Sequence, residues 1–263
     1  MTTDPRDLAD LAGRVATDVG REIARRRSNG IVRVTTKSTP TDMVTEFDGA
    51  AELMILAALE AARPDDGFVG EEGAVRPGSS GVRWLIDPID GTTNFLYDLP
   101  GWGVSIAACG DSGPVAGAVF VPTTDELFSA AQGHGASLNG SPIRCRESVD
   151  LGTALVGTGF SYQPATRAAQ GRLVAALLPR VRDIRRFGAA SVDLCSVAAG
   201  RLDVYVEEGL APWDLAAGEV IAREAGAAVT DLAGGPVQPG SVLACSPGLH
   251  QPFLELLGEL QER

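Results

Sequence analysis

The sequence predicts an α+β half followed by an α/β half, and three features point there. Apolar residues recur at helical spacing up to Ala62. Short apolar runs broken by Gly and Pro fill the stretch from Arg83 to Ala130, and strand-like and helix-like segments alternate from Ala154 onward. With 263 residues, 44% of them hydrophobic, the chain can bury a full core in one large domain or two small ones.

Leu8, Leu11, Val15, Val19 and Ile23 step by three and four and lead into Arg25-Arg26-Arg27, which predicts an amphipathic helix with a basic last turn. A second helix is expected over Glu46–Ala62, with Leu53, Met54, Ala57, Ala58 and Ala61 on one side and Pro64 beyond its end. Trp84–Ile86, Trp102–Cys109, Val115–Val121 and Glu126–Ala130 read as strands of a mostly antiparallel sheet. Beyond the turn-rich stretch from Gly133 to Pro142, strands are expected at Ala154–Gly157, Arg182–Phe187, Leu202–Val206 and Val242–Cys245. Helices are expected near Ala165–Leu178, Ala190–Ala199 and Trp213–Ala225, and from Gly248. No linker, low-complexity run or repeat divides the chain, so residues 1–147 and 148–263 are set as its two halves on topology alone.

Lys plus Arg number 22 against 34 Asp plus Glu, a formal charge of −12, which argues against bulk nucleic-acid binding. An acidic protein that handles a phosphorylated ligand needs cations between the two, so metal ions are an early expectation. No secretory signal is readable in Met1–Asp10, and no window approaches the roughly 18 apolar residues of a membrane span, so the expected location is the cytoplasm. Cys109, Cys145, Cys195 and Cys245 lie far apart without a CxxC pair and suit apolar packing. His134 and His250 are too few for a histidine-rich site. Gly157-Thr158-Gly159 lacks the third glycine of a dinucleotide-binding loop.

The chemistry sits in carboxylates at element junctions. Asp87 and Asp90 flank Pro88-Ile89 where the Trp84–Ile86 strand is expected to end, and Gly91-Thr92 opens a helix start whose amides can hold a phosphate. Two carboxylates beside a phosphate repel it unless divalent cations intervene. Glu71-Glu72 closes the run Phe68-Val69-Gly70, and Asp214 follows Trp213 after a strand ending in Glu207 and Glu208. Alone, each also suits a structural role: Asp214 a helix cap, Asp90 a turn residue, Glu71 a solvated charge. Mg2+ prefers such oxygen donors, completed by water and phosphate oxygens.

Taken together, Lys37–Asp48 (KSTPTDMVTEFD), Gly70-Glu71-Glu72, Trp84–Phe95 (WLIDPIDGTTNF) and Trp213–Gly218 (WDLAAG) resemble, in order and spacing, the motifs of the inositol monophosphatase family. The resemblance spans nearly the whole chain. It implies a layered αβαβα sandwich of the inositol monophosphatase/fructose-1,6-bisphosphatase type, an active site between the halves, a homodimer and lithium sensitivity. It also implies that Glu71, Asp87 and the Ile89 carbonyl hold one Mg2+, that Asp87, Asp90 and Asp214 hold a second, and that a third, weaker ion shares Glu71. The amides of Gly91 and Thr92 would seat the phosphate, and Thr92 with Asp48 would activate a water for in-line attack.

Lys37, the only lysine, lies in the first motif and is a candidate phosphate contact, though a solvated surface role suits it equally. Within Arg185–Leu194 (RRFGAASVDL), which resembles the family's substrate-side segment, Gly188 and Ala190 leave room for a sugar-like ring. Glu207 falls where inositol-type members place a carboxylate for a ring hydroxyl. Thr93 stands where branches acting on histidinol phosphate or nucleotide phosphates commonly carry Lys, and Ala189 where several members have a hydroxyl. The expected function is therefore a Mg2+-dependent phosphatase acting on a small phosphate ester. Myo-inositol 1-phosphate leads and fructose 1,6-bisphosphate is a second substrate. A histidinol-phosphate phosphatase and a non-catalytic regulatory protein of the same fold are the alternatives.

Overall fold

The computed structural model describes residues 3–28, 34–36, 43–147 and 149–261. The chain begins with α1 (Pro5–Ser28), β1 (Val34–Thr36), β2 (Met43–Thr45), α2 (Glu46–Ala62), β3 (Gly67–Gly70), β4 (Val75–Arg76), β5 (Arg83–Asp90) and the short α3 (Thr92–Tyr97). It continues through β6 (Gly103–Gly110), β7 (Gly113–Val121), β8 (Glu126–Ala131), β9 (Ala136–Leu138) and β10 (Ser141–Ile143). The remainder is β11 (Leu155–Thr158), α4 (Pro164–Leu177), β12 (Asp183–Arg185), α5 (Ala190–Ala198), β13 (Val204–Glu208), α6 (Pro212–Glu224), β14 (Ala228–Thr230), β15 (Ser241–Cys245) and α7 (His250–Gln261).

Eight strands form one sheet in the order β10-β9-β8-β7-β6-β5-β3-β4, antiparallel except for β3 beside β5. A second sheet runs β12-β11-β13-β15-β14, with β11 parallel to both of its neighbours. The alternation of side chains along each strand assigns the layers. Trp84, Ile86, Val104 and Ile106 face α1 and α2, whereas Leu85, Ala107 and Cys109 face Cys195 of α5 and Ala217 and Ile221 of α6. From the other side, Tyr205, Val242 and Ala244 meet Leu194, Val197, Leu215 and Ala222 of the same two helices. Val204, Val206 and Leu243 turn outward onto Leu177 of α4 and Phe253, Leu256 and Leu257 of α7. The order is α1/α2, eight-stranded sheet, α5/α6, five-stranded sheet, α4/α7: an α+β sandwich in five αβαβα layers. Among the described residues, no helix is long and apolar enough to cross a membrane.

Two expectations are corrected. The inner face of α2 is Phe47, Ala51, Ile55 and Leu59, while Leu53 is 70% exposed and Ala57 and Ala61 also face solvent. In an alanine-rich helix, apolar spacing is satisfied on more than one face, and the larger side chains at Phe47, Ile55 and Leu59 decide which is buried. The strand carrying Asp87 and Asp90 does not end before them: β5 runs to Asp90, and its register against β6 shifts between those two residues. Pro88, which has no N–H to give a ladder, lies inside that irregularity. All four cysteines are buried free thiols, as packing residues should be, and burial pushes Cys109 up to about 11 and Cys245 to about 12. His134 lies in an exposed turn, and the His250 ring hydrogen-bonds the Thr230 hydroxyl at 3.0 Å.

Candidate active site

Because Asp87 shares the face of Leu85, and Glu207 that of Tyr205, both point from opposite sheets toward the α5/α6 layer. At the N-terminal end of that layer lies a cleft of about 390 Å3. Glu71, Asp87, Ile89, Asp90, Gly91, Ala190, Glu207 and Asp214 all line it, so eight of the residues expected from sequence meet there. Thr92 and Asp48 are not among its lining residues, but the Thr92 hydroxyl bonds to the carbonyl of Ile89, which is. Lys37 lies outside the described residues.

Asp90, Asp214, Asp87 and Asp48 are each fixed by a backbone amide. Asp90 accepts the Ser191 amide at 2.7 Å and the Ser191 hydroxyl at 2.6 Å, capping the first turn of α5 across a separation of 101 residues. Asp214 accepts the Ala211 amide at 2.7 Å in the first turn of α6. Asp87 accepts the Ile89 amide at 3.1 Å. Asp48 accepts the Thr45 amide at 2.8 Å within a capping box and, through its other oxygen, the Thr92 hydroxyl at 3.4 Å. That hydroxyl also reaches the Ile89 carbonyl at 3.1 Å. The capping role foreseen for Asp214 and its place in the cleft are thus held by one side chain, while Asp90, expected as a turn residue, instead ends β5 and caps α5.

Gly91 is required twice over. Its φ of +87° lies in the left-handed region, and a Cβ would sit 3.1 Å from that of Ala189 and 3.3 Å from the carbonyl oxygens of Gly101 and Gly188. This contact brings the loop after β5 against the turn before α5. Asn94 locks the approach by donating to the carbonyls of Gly101 at 3.0 Å and Phe187 at 2.7 Å.

Electrostatically the cleft is a frustrated site. Burial, then Glu71, Asp90 and Asp214, push the Asp87 carboxyl well above its usual range. Burial raises Asp90 to about 6 against the Ser191 hydrogen bonds, and burial with the nearby Asp90 raises Asp214 well above its usual range. None of the ion pairs among the described residues involves Asp87, Asp90 or Asp214. Arg186 is the single cation among the described cleft residues.

Asp87, Asp90 and Asp214, in one cleft and outside every ion pair among the described residues, are the type of oxygen donor that a hard divalent cation takes. Among the described residues, no three Asp, Glu, His or Cys side chains converge into a ready-made metal cage. Mg2+ takes carboxylate oxygens and completes its octahedron with water and phosphate oxygens, and Asp87, Asp90 and Asp214 present such oxygens to one cleft.

A model of the inositol monophosphatase family matches residues 4–262. The chain belongs to that family. It is 42% identical over 276 residues to a protein of Mycobacterium leprae named "Inositol-1-monophosphatase", with 97% of this chain and 94% of the relative covered. It is 40% identical to the "Nus factor SuhB" of Vibrio cholerae, with 96% of each covered. The solved "extragenic suppressor protein suhB" of Bartonella henselae superposes with a TM-score of 0.90 at 35% identity, covering 95% of this chain and 98% of that one.

Within this member of the inositol monophosphatase family, sequence reasoning missed two groups of residues. Phe160, Ser161, Tyr162 and Gln163, from the loop between β11 and α4, form one wall of the cleft, and Ser191 fixes Asp90. The loop carries no motif spacing. Ser191 lies inside the segment Arg185–Leu194, but nothing in one sequence marks it as the partner of an acid so far upstream.

Proposed function

We propose that this chain is a Mg2+-dependent phosphatase of polyol phosphate monoesters, with myo-inositol 1-phosphate as its leading substrate and fructose 1,6-bisphosphate as a second. The observation that carries the proposal is that Glu71, Asp87, Asp90 and Asp214 line one cleft together with Glu207. In this reading Glu71, Asp87 and the Ile89 carbonyl would hold one ion, Asp87, Asp90 and Asp214 would hold a second, and a weaker third would share Glu71. When bound, such ions supply neutralisation of the phosphate oxygens and acidification of water. Residues 1–147 carry most of these ligands, and residues 148–263 carry Asp214 and the alcohol side.

The chain's own groups divide the remaining work. The amides of Gly91 and Thr92 receive phosphate oxygens at the start of α3. Thr92 orients the attacking water and passes its proton toward Asp48. Burial, its largest influence, raises the Asp48 carboxyl to about 6, which makes it a stronger base than an ordinary carboxylate. Attack opposite the leaving oxygen forms the new P–O bond as the bond to the alcohol breaks, and the alcohol oxygen takes a proton from solvent water. Glu207 accepts a hydrogen bond from a ring hydroxyl, and Ala190 leaves space for the ring. A homodimer and inhibition by lithium belong to the same proposal.

Phosphate release in Mg2+ from myo-inositol 1-phosphate, fructose 1,6-bisphosphate, histidinol phosphate and adenosine bisphosphate tests it. The expected order places the inositol ester first. Preference for histidinol phosphate overturns the polyol assignment, and no release from any ester overturns the enzymatic reading. The name of the Vibrio cholerae relative supports a second, regulatory reading, in which the same fold acts through a macromolecular partner. The retained acids of the cleft favour catalysis.

A further inference from the structure

One sequence feature remains without a role: Gly157-Thr158-Gly159 at the end of β11, too short of glycines for a nucleotide loop. β11 runs parallel to β13, with Gly157 opposite Tyr205 and Thr158 opposite Val206. The register therefore carries Gly159 toward Glu207. A Cβ on Gly159 would overlap both carboxylate oxygens of Glu207, and a Cβ on Gly157 would sit 3.3 Å from the Tyr205 ring and overlap Leu202. Neither glycine has a positive φ, so space and not backbone conformation demands them. The Tyr205 ring is wholly buried, and its hydroxyl donates to Glu207 Oε2. Between the two strands, Thr158 donates to the Val206 carbonyl at 2.8 Å and pins them together.

We propose that Gly159 and Tyr205 are positioning residues that hold the Glu207 carboxylate with Oε2 engaged and its remaining acceptor capacity turned to the cleft, and that they thereby set the preference for polyol over other phosphate esters. The inference rests on the proposed phosphatase reading and assigns it an alcohol-side support. A glutamate side chain is rich in rotamers, and a free one loses that freedom on binding. A carboxylate already tethered by a buried phenol and seated on a bare Cα has lost it on folding, so recognition of a hydroxyl incurs less of that cost. Neither Gly159 nor Tyr205 lines the cleft; both meet Glu207, and neither is among the residues placed around the phosphate.

The test compares Tyr205→Phe and Gly159→Ala with the wild type on myo-inositol 1-phosphate and on p-nitrophenyl phosphate, which has no ring hydroxyl. Removing one supporting hydrogen bond is expected to raise KM for the inositol ester by about five- to tenfold with kcat nearly unchanged. Both constants for the nitrophenyl ester should stay at wild-type values. An unchanged inositol KM in Tyr205→Phe, or an equal loss on both esters, overturns the proposal. Tyr205→Phe keeps the ring, so it remains decisive if Gly159→Ala fails to fold. A wild type that hydrolyses neither ester refutes the phosphatase reading separately. Calorimetric titration with myo-inositol 1-phosphate then decides this one: weaker binding to Tyr205→Phe supports it, and equal or absent binding overturns it.

Discussion

The two ends of the cleft are built by different means. At the acid end, carboxylates are placed by the backbone amides they accept: Asp214 in the first turn of α6, Asp48 in a capping box, Asp87 at the Ile89 amide and Asp90 at the distant Ser191 that opens α5. At the alcohol end, Glu207 is placed by a missing Cβ at Gly159, just past β11, and by the buried phenol of Tyr205, two residues earlier on β13 itself. Asp87, Asp90 and Asp214 take part in no ion pair among the described residues, whereas Glu207, raised by burial to about 7, has the Tyr205 hydroxyl donating to it and Arg186 within electrostatic range. Chemistry at the acid end depends on charge. Selection at the alcohol end depends on fit.

The sharpest way to break this contrast is to change charge at the acid end alone. Asp90→Asn is expected to reduce phosphate release on the order of 100-fold or more, with the circular dichroism spectrum retained, since the amide oxygen can still accept from Ser191. Normal turnover in that variant would remove Asp90 from the site. Next in size, Thr92→Val should lower kcat by roughly 100-fold with little change in KM, because Thr92 acts on the attacking water while the main-chain amides seat the phosphate. A change confined to KM would reassign Thr92 to binding.

Stability against pH gives a third measurement. Asp48 and Asp90 are raised to about 6 in the folded chain, so the fold binds their protons more tightly than the unfolded chain does. Metal-free protein is therefore most stable near pH 4 with respect to these groups and loses that contribution as pH rises through about 6. Mg2+ should raise the melting temperature by about 5 °C at pH 8 and by less at pH 5, where protons compete for the same oxygens. Equal stabilisation at both pH values would separate the ion from the acids. The smallest effect is expected at the alcohol end, where Glu207→Gln keeps an acceptor oxygen. It should raise KM for myo-inositol 1-phosphate only about threefold, as for weakening one hydrogen bond.

The same contrast explains what could be read in advance. Asp87, Asp90 and Asp214 are legible because local rules and catalytic need fall on the same short motifs. So is α2, whose bounds follow from Thr45 as cap and the alanine-rich run after it. Its buried face is not legible, because only the packed sheet chooses Ile55 over Leu53. Ser191 and Tyr205 are silent in sequence for a related reason: each acts through a partner supplied by tertiary structure or strand pleat, and no spacing rule encodes those meetings. The continuation of β5 through Pro88 is hidden likewise, since proline ordinarily argues for a strand's end and here occupies a bulge.

The account stands on acids from separate segments forming one cation site. Calorimetric titration of Mg2+ into the wild type and Asp214→Asn tests it most directly. Binding weakened at least about tenfold in the variant, with the fold intact, is the predicted result. Identical Mg2+ affinity in the two proteins would contradict it.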